Sequence, residues 1–179
     1  MFEALKRLFK RKPDNQPKVT ADQIDIGAPQ PANITNDIFG YFRERPDWMN
    51  PSSGWGYTKE DALVIDTDNP NLGVHNEYVF AEFRSRIEVQ EKMNAVFDCF
   101  VRGRQLLMEF GSNHYDVLEF KVYYFTFEDF EFLKNDFESH NKYENDDAGL
   151  KRHNQLRFER IKYYSSECWI NINSFFGKY

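Results

Sequence analysis

The sequence predicts an α+β protein: a mostly antiparallel sheet of about six strands, two packed helices and an N-terminal arm. Three observations predict it. Residues 104–125 (RQLLMEFGSNHYDVLEFKVYYF) alternate with a period of two around a Gly-Ser-Asn turn, the pattern of a β-hairpin. Residues 126–137 then change to helical spacing behind a capping threonine. The element order β-β-α-β-β-α-β-β favours hairpin-like neighbours and lacks the regular β-α-β alternation of a parallel sheet. Residues 1–33 read as a flexible basic helix and Pro-rich linker, and residues 34–179 as a single α+β domain.

Residues 1–12 (MFEALKRLFKRK) place Phe2, Leu5 and Phe9 on one side of a short amphipathic helix. Lys6, Arg7, Lys10, Arg11 and Lys12 against Glu3 give it a net charge of 5 − 1 = +4, which permits weak contact with a membrane surface. Residues 13–33 carry Pro13, Pro17, Pro29 and Pro31 and read as an extended linker. Residues 35–45 form a short helix with Ile38, Phe39 and Phe42 inward, stopped at Pro46. The loop over 46–57 holds Trp48, Trp55 and Tyr57 among Pro, Ser and Gly. These rings either anchor a partner or plug the end of the core.

Residues 61–66 (DALVID) read as a short buried strand. In residues 79–89, Val79, Ala81, Phe83, Ile87 and Val89 share one parity, while Glu82, Arg84, Arg86 and Glu88 share the other. That is the pattern of a half-buried antiparallel strand with a solvated charged face. Val89, Met93, Val96 and Phe100 then follow helical spacing, with Gly103 as the residue beyond the helix end. In the hairpin, Leu118, Phe120, Val122 and Tyr124 form one apolar row. Thr126 caps the next helix with Asp129 at its third position and Phe125 set against Phe130. Phe130, Leu133 and Phe137 share its inner side. Residues 141–149 read as a polar loop, and 156–164 and 167–173 as two closing strands, the second with Cys168, Ile170 and Ile172 on one parity.

A chain of 179 residues can bury roughly 70% of its unfolded surface, so neither disulfides nor metals are required to hold it together. Cys99 and Cys168 read as reduced thiols of a cytoplasmic protein, because residues 1–12 lack a continuous apolar signal region and no apolar run approaches a membrane span. The net charge is −6, and residues 126–147 alone hold eight acids against Lys134 and Lys142. Such a chain is poorly suited to nucleic acid, which demands clustered Lys and Arg, and better suited to a basic protein partner.

His75, His114, His140 and His153 show no zinc-ligand spacing with one another or with cysteine. No cofactor or metal is expected. Residues 66–77 depart from a calcium loop at Pro70 and Asn71. Cys99 falls within the expected helical stripe, where a thiol is inert. His114, Tyr115 and Asp116, at the hairpin turn, are the place where an imidazole can be oriented for acid–base work. The sequence therefore favours a non-enzymatic protein-binding domain of the cytoplasm. Its expected contact surface is Glu128, Glu131, Asp136, Glu138, Asp146 and Asp147, with Trp48, Trp55 and Tyr57 as aromatic anchors. The alternative is a small-ligand protein or an enzyme with a non-motif site near His114. In size, acidity and α+β content the chain is similar to immunity proteins that neutralise secreted toxins; the resemblance carries over no individual residues.

Overall fold

The structure is a computed structural model and describes residues 46–178. Its elements are β1 (Leu63–Val64), α1 (Pro70–Ile87), β2 (Ala95–Phe110), β3 (Asn113–Thr126), α2 (Phe127–Ser139), α3 (Asp147–Arg160) and β4 (Lys162–Asn171). A single π-type turn, Glu88–Lys92, prolongs α1, and a 3₁₀ turn, Asn141–Tyr143, joins α2 to α3. The readings made for residues 1–45, including the basic helix, the linker and the short helix before Pro46, lie outside the described residues.

The α+β class holds, but the described sheet has four strands and is mixed. Its order is β1-β4-β3-β2, with β1 parallel to β4 and the other pairs antiparallel. Three helices accompany it instead of two. No helix among the described residues is long and apolar enough to cross a membrane.

The central hairpin is as expected. β2 and β3 pair from Ala95↔Thr126 to Phe110↔Asn113, leaving a two-residue loop. Gly111, at φ +64°, supplies the left-handed backbone such a loop needs at its first position. Leu118, Phe120, Val122 and Tyr124 are all buried on one face of β3. Thr126 caps α2 as the sequence indicated: its Oγ1 accepts from the Asp129 N–H at 3.1 Å and donates to Asp129 Oδ2 at 2.8 Å.

Three readings are corrected. Residues 79–89 belong mainly to α1, not to a strand. Asn69 Oδ1 caps this helix by accepting from the N–H groups of Asn71 (3.1 Å) and Leu72 (3.3 Å), and Pro70 opens it. Its inward positions, Gly73, Asn76, Glu77, Phe80, Ala81, Arg84 and Ser85, recur at helical spacing. Several of them are polar, so hydrophobicity does not carry the period, while Val79 points outward at 45% exposure. Residues 89–100 finish the π-type turn and enter β2 through Asn94 (φ +46°). Gly103 therefore ends no helix. It lies at a register shift in β2, where a Cβ would come within 2.6 Å of the Glu119 carbonyl oxygen. Residues 156–164 divide between α3, which Asp146 Oδ1 caps by accepting from the Gly149 N–H at 2.8 Å and which ends where Ile161 turns to extended backbone, and the start of β4. In β4, Cys168 and Ile170 face inward, and Ile172 just beyond its end is also buried.

The core joins Phe80, Ala81 and Ile87 of α1 to the β3 row and to Tyr164, Cys168 and Ile170 of β4. Trp55, Met49, Leu63 and Ile65 close it from the N-terminal side. Through it runs one cation, Arg84, with no exposure at all. Its Nη1 donates to the carbonyls of Trp55 and Gly56, both at 3.0 Å. Its Nη2 donates to Ser166 Oγ at 3.0 Å and to the Glu167 carbonyl at 2.5 Å. Nε lies 3.3 Å from Glu88 Oε1, an ion pair one helical turn away, although neither atom forms a well-aligned hydrogen bond there. The Tyr164 hydroxyl donates to the other Glu88 oxygen. Burial, reinforced by the Glu88 charge, pushes the Tyr164 and Tyr57 hydroxyls well above the usual phenol range, so both stay protonated beside that carboxylate.

Removing one partner of such a pair leaves a buried charge and several unfilled carbonyls. Arg84→Ala is expected to cost about 3–5 kcal/mol, read as a lowered urea midpoint. The double replacement Arg84→Met with Glu88→Leu is expected to cost less than Arg84→Ala alone; an equal or larger loss would show that the hydrogen bonds, not the charge pairing, set the penalty.

Candidate functional site

α2 owes its register to its cap and to Leu133, which is buried, with Phe130 and Phe137 half-buried beside it. This turns Glu128, Glu131 and Glu138 to solvent. Glu131 lies 3.5 Å from Lys134, whereas Glu128 and Glu138 make no ion pair among the described residues. Phe127 and Phe132 share this outer side, at 50% and 42% exposure. The Arg160 guanidinium rests 3.9 Å from the Phe132 ring centre and pairs with Asp129 at 2.6 Å. Beyond the helix, Asp146 and Asp147 are exposed; Asp146 is occupied with capping α3 and lies 4.0 Å from Arg152, and Asp147 makes no ion pair among the described residues.

Asp136 is placed differently from the other acids of the expected surface. Its carboxylate accepts from the Tyr143 hydroxyl at 2.8 Å and meets His153 Nδ1 at 2.6 Å, tying α2 to α3. His140 Nδ1 lies 2.7 Å from the Asp136 carbonyl and 3.2 Å from the Tyr143 hydroxyl. Burial pulls the Asp136 carboxyl upward, but the hydrogen bonds from His153 and Tyr143 outweigh it and hold the group below the usual range. The backbone here is unusual: Asn141, Lys142, Tyr143 and Asn145 all have φ between 49° and 64°. Left-handed backbone at a residue as bulky as tyrosine is rare and persists only where surrounding contacts impose it. Here the Tyr143 ring stacks on His140 (4.9 Å) and packs against Phe137 (6.2 Å) and His153 (5.6 Å). An open hollow of about 370 Å³ adjoins the cluster, lined by Asp136, His140, Tyr143, Arg152, Gln155 and Leu156.

Sequence reasoning missed this convergence. His140 and His153 stand at no ligand spacing, and only the one-turn offset of Asp136 and His140 on a helix was available as a signal. The expected His114 site is arranged otherwise. His114 stacks on Phe176 at 3.8 Å, and its backbone N–H donates to Asn173 Oδ1 at 2.8 Å. Tyr115 faces the opposite side of the sheet, against Trp169 and Phe110. The loop aromatics pack on the core. Trp55 is 4% exposed against Phe80 and Phe83, Trp48 is half-buried, and the Tyr57 ring lies 4.5 Å from the Arg84 guanidinium. Residues 66–77 run into α1 and do not form a cation loop. Among the described residues no group of three or more His, Cys, Asp or Glu is placed to hold a metal ion. Cys99 is exposed on β2, not held in a helix, and Cys168 is buried; both are free.

Asp116 faces α1 instead of His114. Gln105 Nε2 donates to Asp116 Oδ2 at 2.6 Å and to Glu77 Oε2 at 3.3 Å, and the Tyr78 hydroxyl donates to Gln105 Oε1 at 2.9 Å. Glu77 is fully buried, and burial, with the Asp116 charge added, pushes its carboxyl up to about 9. Burial raises Asp116 as well, against the hydrogen bonds from Gln105 and Glu77. At neutral pH Glu77 therefore keeps its proton.

No protein-family model, curated protein or solved structure matches the chain.

The proton that Glu77 keeps gives a pH dependence of known sign. Folded, Glu77 keeps its proton to about pH 9; unfolded, it loses it near 4.5. The stability it contributes is thus fully present below about pH 4.5 and is lost as pH rises toward 9. Glu77→Gln, which keeps the shape without the titration, is expected to unfold at a higher temperature than the wild type at pH 8.5 and to flatten the decline across that window. Parallel pH profiles of the two proteins would place the titration elsewhere.

Proposed function

We propose that the protein is a non-enzymatic protein-binding domain of the cytoplasm, of the immunity type, that receives a basic partner on the outer side of α2. The observation that carries this reading is the mixture on that side: Phe127 and Phe132 exposed beside Glu128 and Glu138, which make no ion pair among the described residues. Exposed rings at the centre of a contact supply burial, and surrounding acids steer and orient a basic partner. Glu131, Asp146 and Asp147 extend the acidic rim. Asp136 serves the α2–α3 junction instead, and Trp48, Trp55 and Tyr57 serve the core.

Reversing Glu128, Glu131 and Glu138 to lysine is expected to weaken binding of a partner captured from host extract about 10- to 100-fold, chiefly through slower association. These side chains are exposed, so the melting temperature is expected to hold. Unchanged affinity in the triple variant, with the partner identified by mass spectrometry and purified, rejects the surface.

The cluster around Asp136 favours a second reading, a small-ligand site in the adjoining hollow rather than near His114. His140 and Arg152 are its exposed polar walls, with side chains 55% and 72% accessible. A compound that raises the melting temperature of the wild type but not of His140→Ala or Arg152→Ala would support this reading; equal shifts in all three proteins would exclude the hollow.

A further inference from the structure

β2 is an edge strand of unusual character. The order β1-β4-β3-β2 gives it a neighbour on one side only among the described residues. From Arg102 to Phe110 every residue is exposed. Leu106, Leu107, Met108 and Phe110 are 39%, 49%, 37% and 40% accessible, and Glu109 is the sole charge after Arg104. Natural edges are ordinarily shortened, charged, kinked or covered, because unpaired N–H and C=O groups recruit another strand. The opposite edge of this sheet follows that rule, since β1 has only two residues. β2 does not.

We propose that β2 pairs with β2 of a second copy of this chain, antiparallel and centred on Leu107, joining two four-stranded sheets into one. The side-chain sequence selects this occupant and this register. A two-fold axis normal to the sheet keeps each face continuous, so a residue meets one of its own parity. Centring on Leu107 sets that residue opposite itself, Leu106 opposite Met108, Gln105 opposite Glu109, and Arg104 opposite Phe110. Apolar thus meets apolar at the centre, while Gln105, already held by Asp116 and Glu77, and Arg104, already paired with Glu119, meet Glu109 and Phe110 with no like charges opposed. Centring one residue earlier sets Arg104 against Met108 and Gln105 against Leu107; one residue later sets Leu107 against Glu109.

The faces agree with the register. Leu106 and Met108 lie beside Val117 and Tyr115 on the side away from α1, where Phe110, Tyr115 and Trp169 already form an aromatic group. Pairing extends that apolar surface across the axis. Because β1 is too short to accept a long strand, β2 meets β2, and the contact closes at two copies.

Sedimentation equilibrium of the full chain across a wide concentration range tests this. The mass is expected to rise from 21.4 kDa to twice that value and no further. Leu107→Lys, at an exposed position, is expected to hold the mass of one copy while keeping the melting temperature. In a Cys99→Ser background, Leu107→Cys is expected to form a covalent dimer on mild oxidation, because opposed antiparallel residues fall within disulfide reach. Glu109→Cys, displaced from the axis, is expected to link far more slowly. A single-copy mass throughout, growth beyond two copies, a dimer that survives Leu107→Lys, or equal linking at 107 and 109 overturns the proposal.

Discussion

The fold depends on a cation buried without exposure. Arg84 donates to carbonyls of Trp55, Gly56 and Glu167 and to the Ser166 hydroxyl, so one side chain on α1 fixes both the entry loop and the middle of β4. Desolvating a guanidinium is costly, and a single carboxylate offsets it incompletely. The offset here is distributed over Glu88, four oxygen acceptors and the faces of Tyr57 and Phe120. Glu88 in turn receives the Tyr164 hydroxyl, which sits where β4 crosses the core. The arrangement explains why Gly56 is required: a Cβ there would sit 2.8 Å from Cys168 Sγ and from the Trp169 carbonyl. The loop must lie flat on β4 for its carbonyls to reach Arg84.

The same constraint made part of the fold hard to read. The hairpin and the start of α2 were legible because their signals are local: alternation along β3, a glycine turn, and a threonine three residues ahead of Asp129. α1 was not. Hydrophobic periodicity assumes that inward residues are apolar, and on α1 and the π-type turn that prolongs it the inward set includes Asn76, Glu77, Arg84, Ser85 and Glu88. With those removed from the apolar count, Val79, Ala81, Phe83, Ile87 and Val89 imitate a strand. The cap at Asn69–Pro70 was the contrary signal, and it lay ten residues before the misleading run. The misreading then spread. A strand at 79–89 required a helix after it, which displaced the start of β2 to Arg104 and turned Gly103 from a bulge into a helix end.

The α2–α3 junction shows a second limit. Asp136, Tyr143 and His153 act together because a left-handed turn folds α3 back onto α2, and four non-glycine residues hold that turn. Nothing in Asn141, Lys142, Tyr143 or Asn145 announces positive φ except that asparagine tolerates it. The geometry is imposed from outside, by the Asp136 hydrogen bonds and by the packing of Tyr143 among Phe137, His140 and His153. A tertiary cause of that kind has no local signature, which is why four dispersed histidines gave no hint that two of them meet.

Charge runs become informative only once their structural duties are subtracted. Of the eight acids in residues 126–147, Asp129 accepts from the capping Thr126 hydroxyl and pairs with Arg160, Asp136 joins α2 to α3, and Asp146 caps α3. Glu131 has Lys134 beside it, and Glu144 lies 3.4 Å from the Asn141 amide. What is left is Glu128, Glu138 and Asp147, exposed and without a cation among the described residues. Glu128 and Asp147 still benefit from the positive ends of the α2 and α3 dipoles, but Glu138 stands at the opposite end of α2, where the dipole opposes a negative charge. An acid retained at a helix C-terminus, unpaired and facing water, works against the stability of its own helix. Of all the acids first read as a surface, Glu138 is the one whose position the fold does not explain, and a partner's positive charge is the simplest interaction that would.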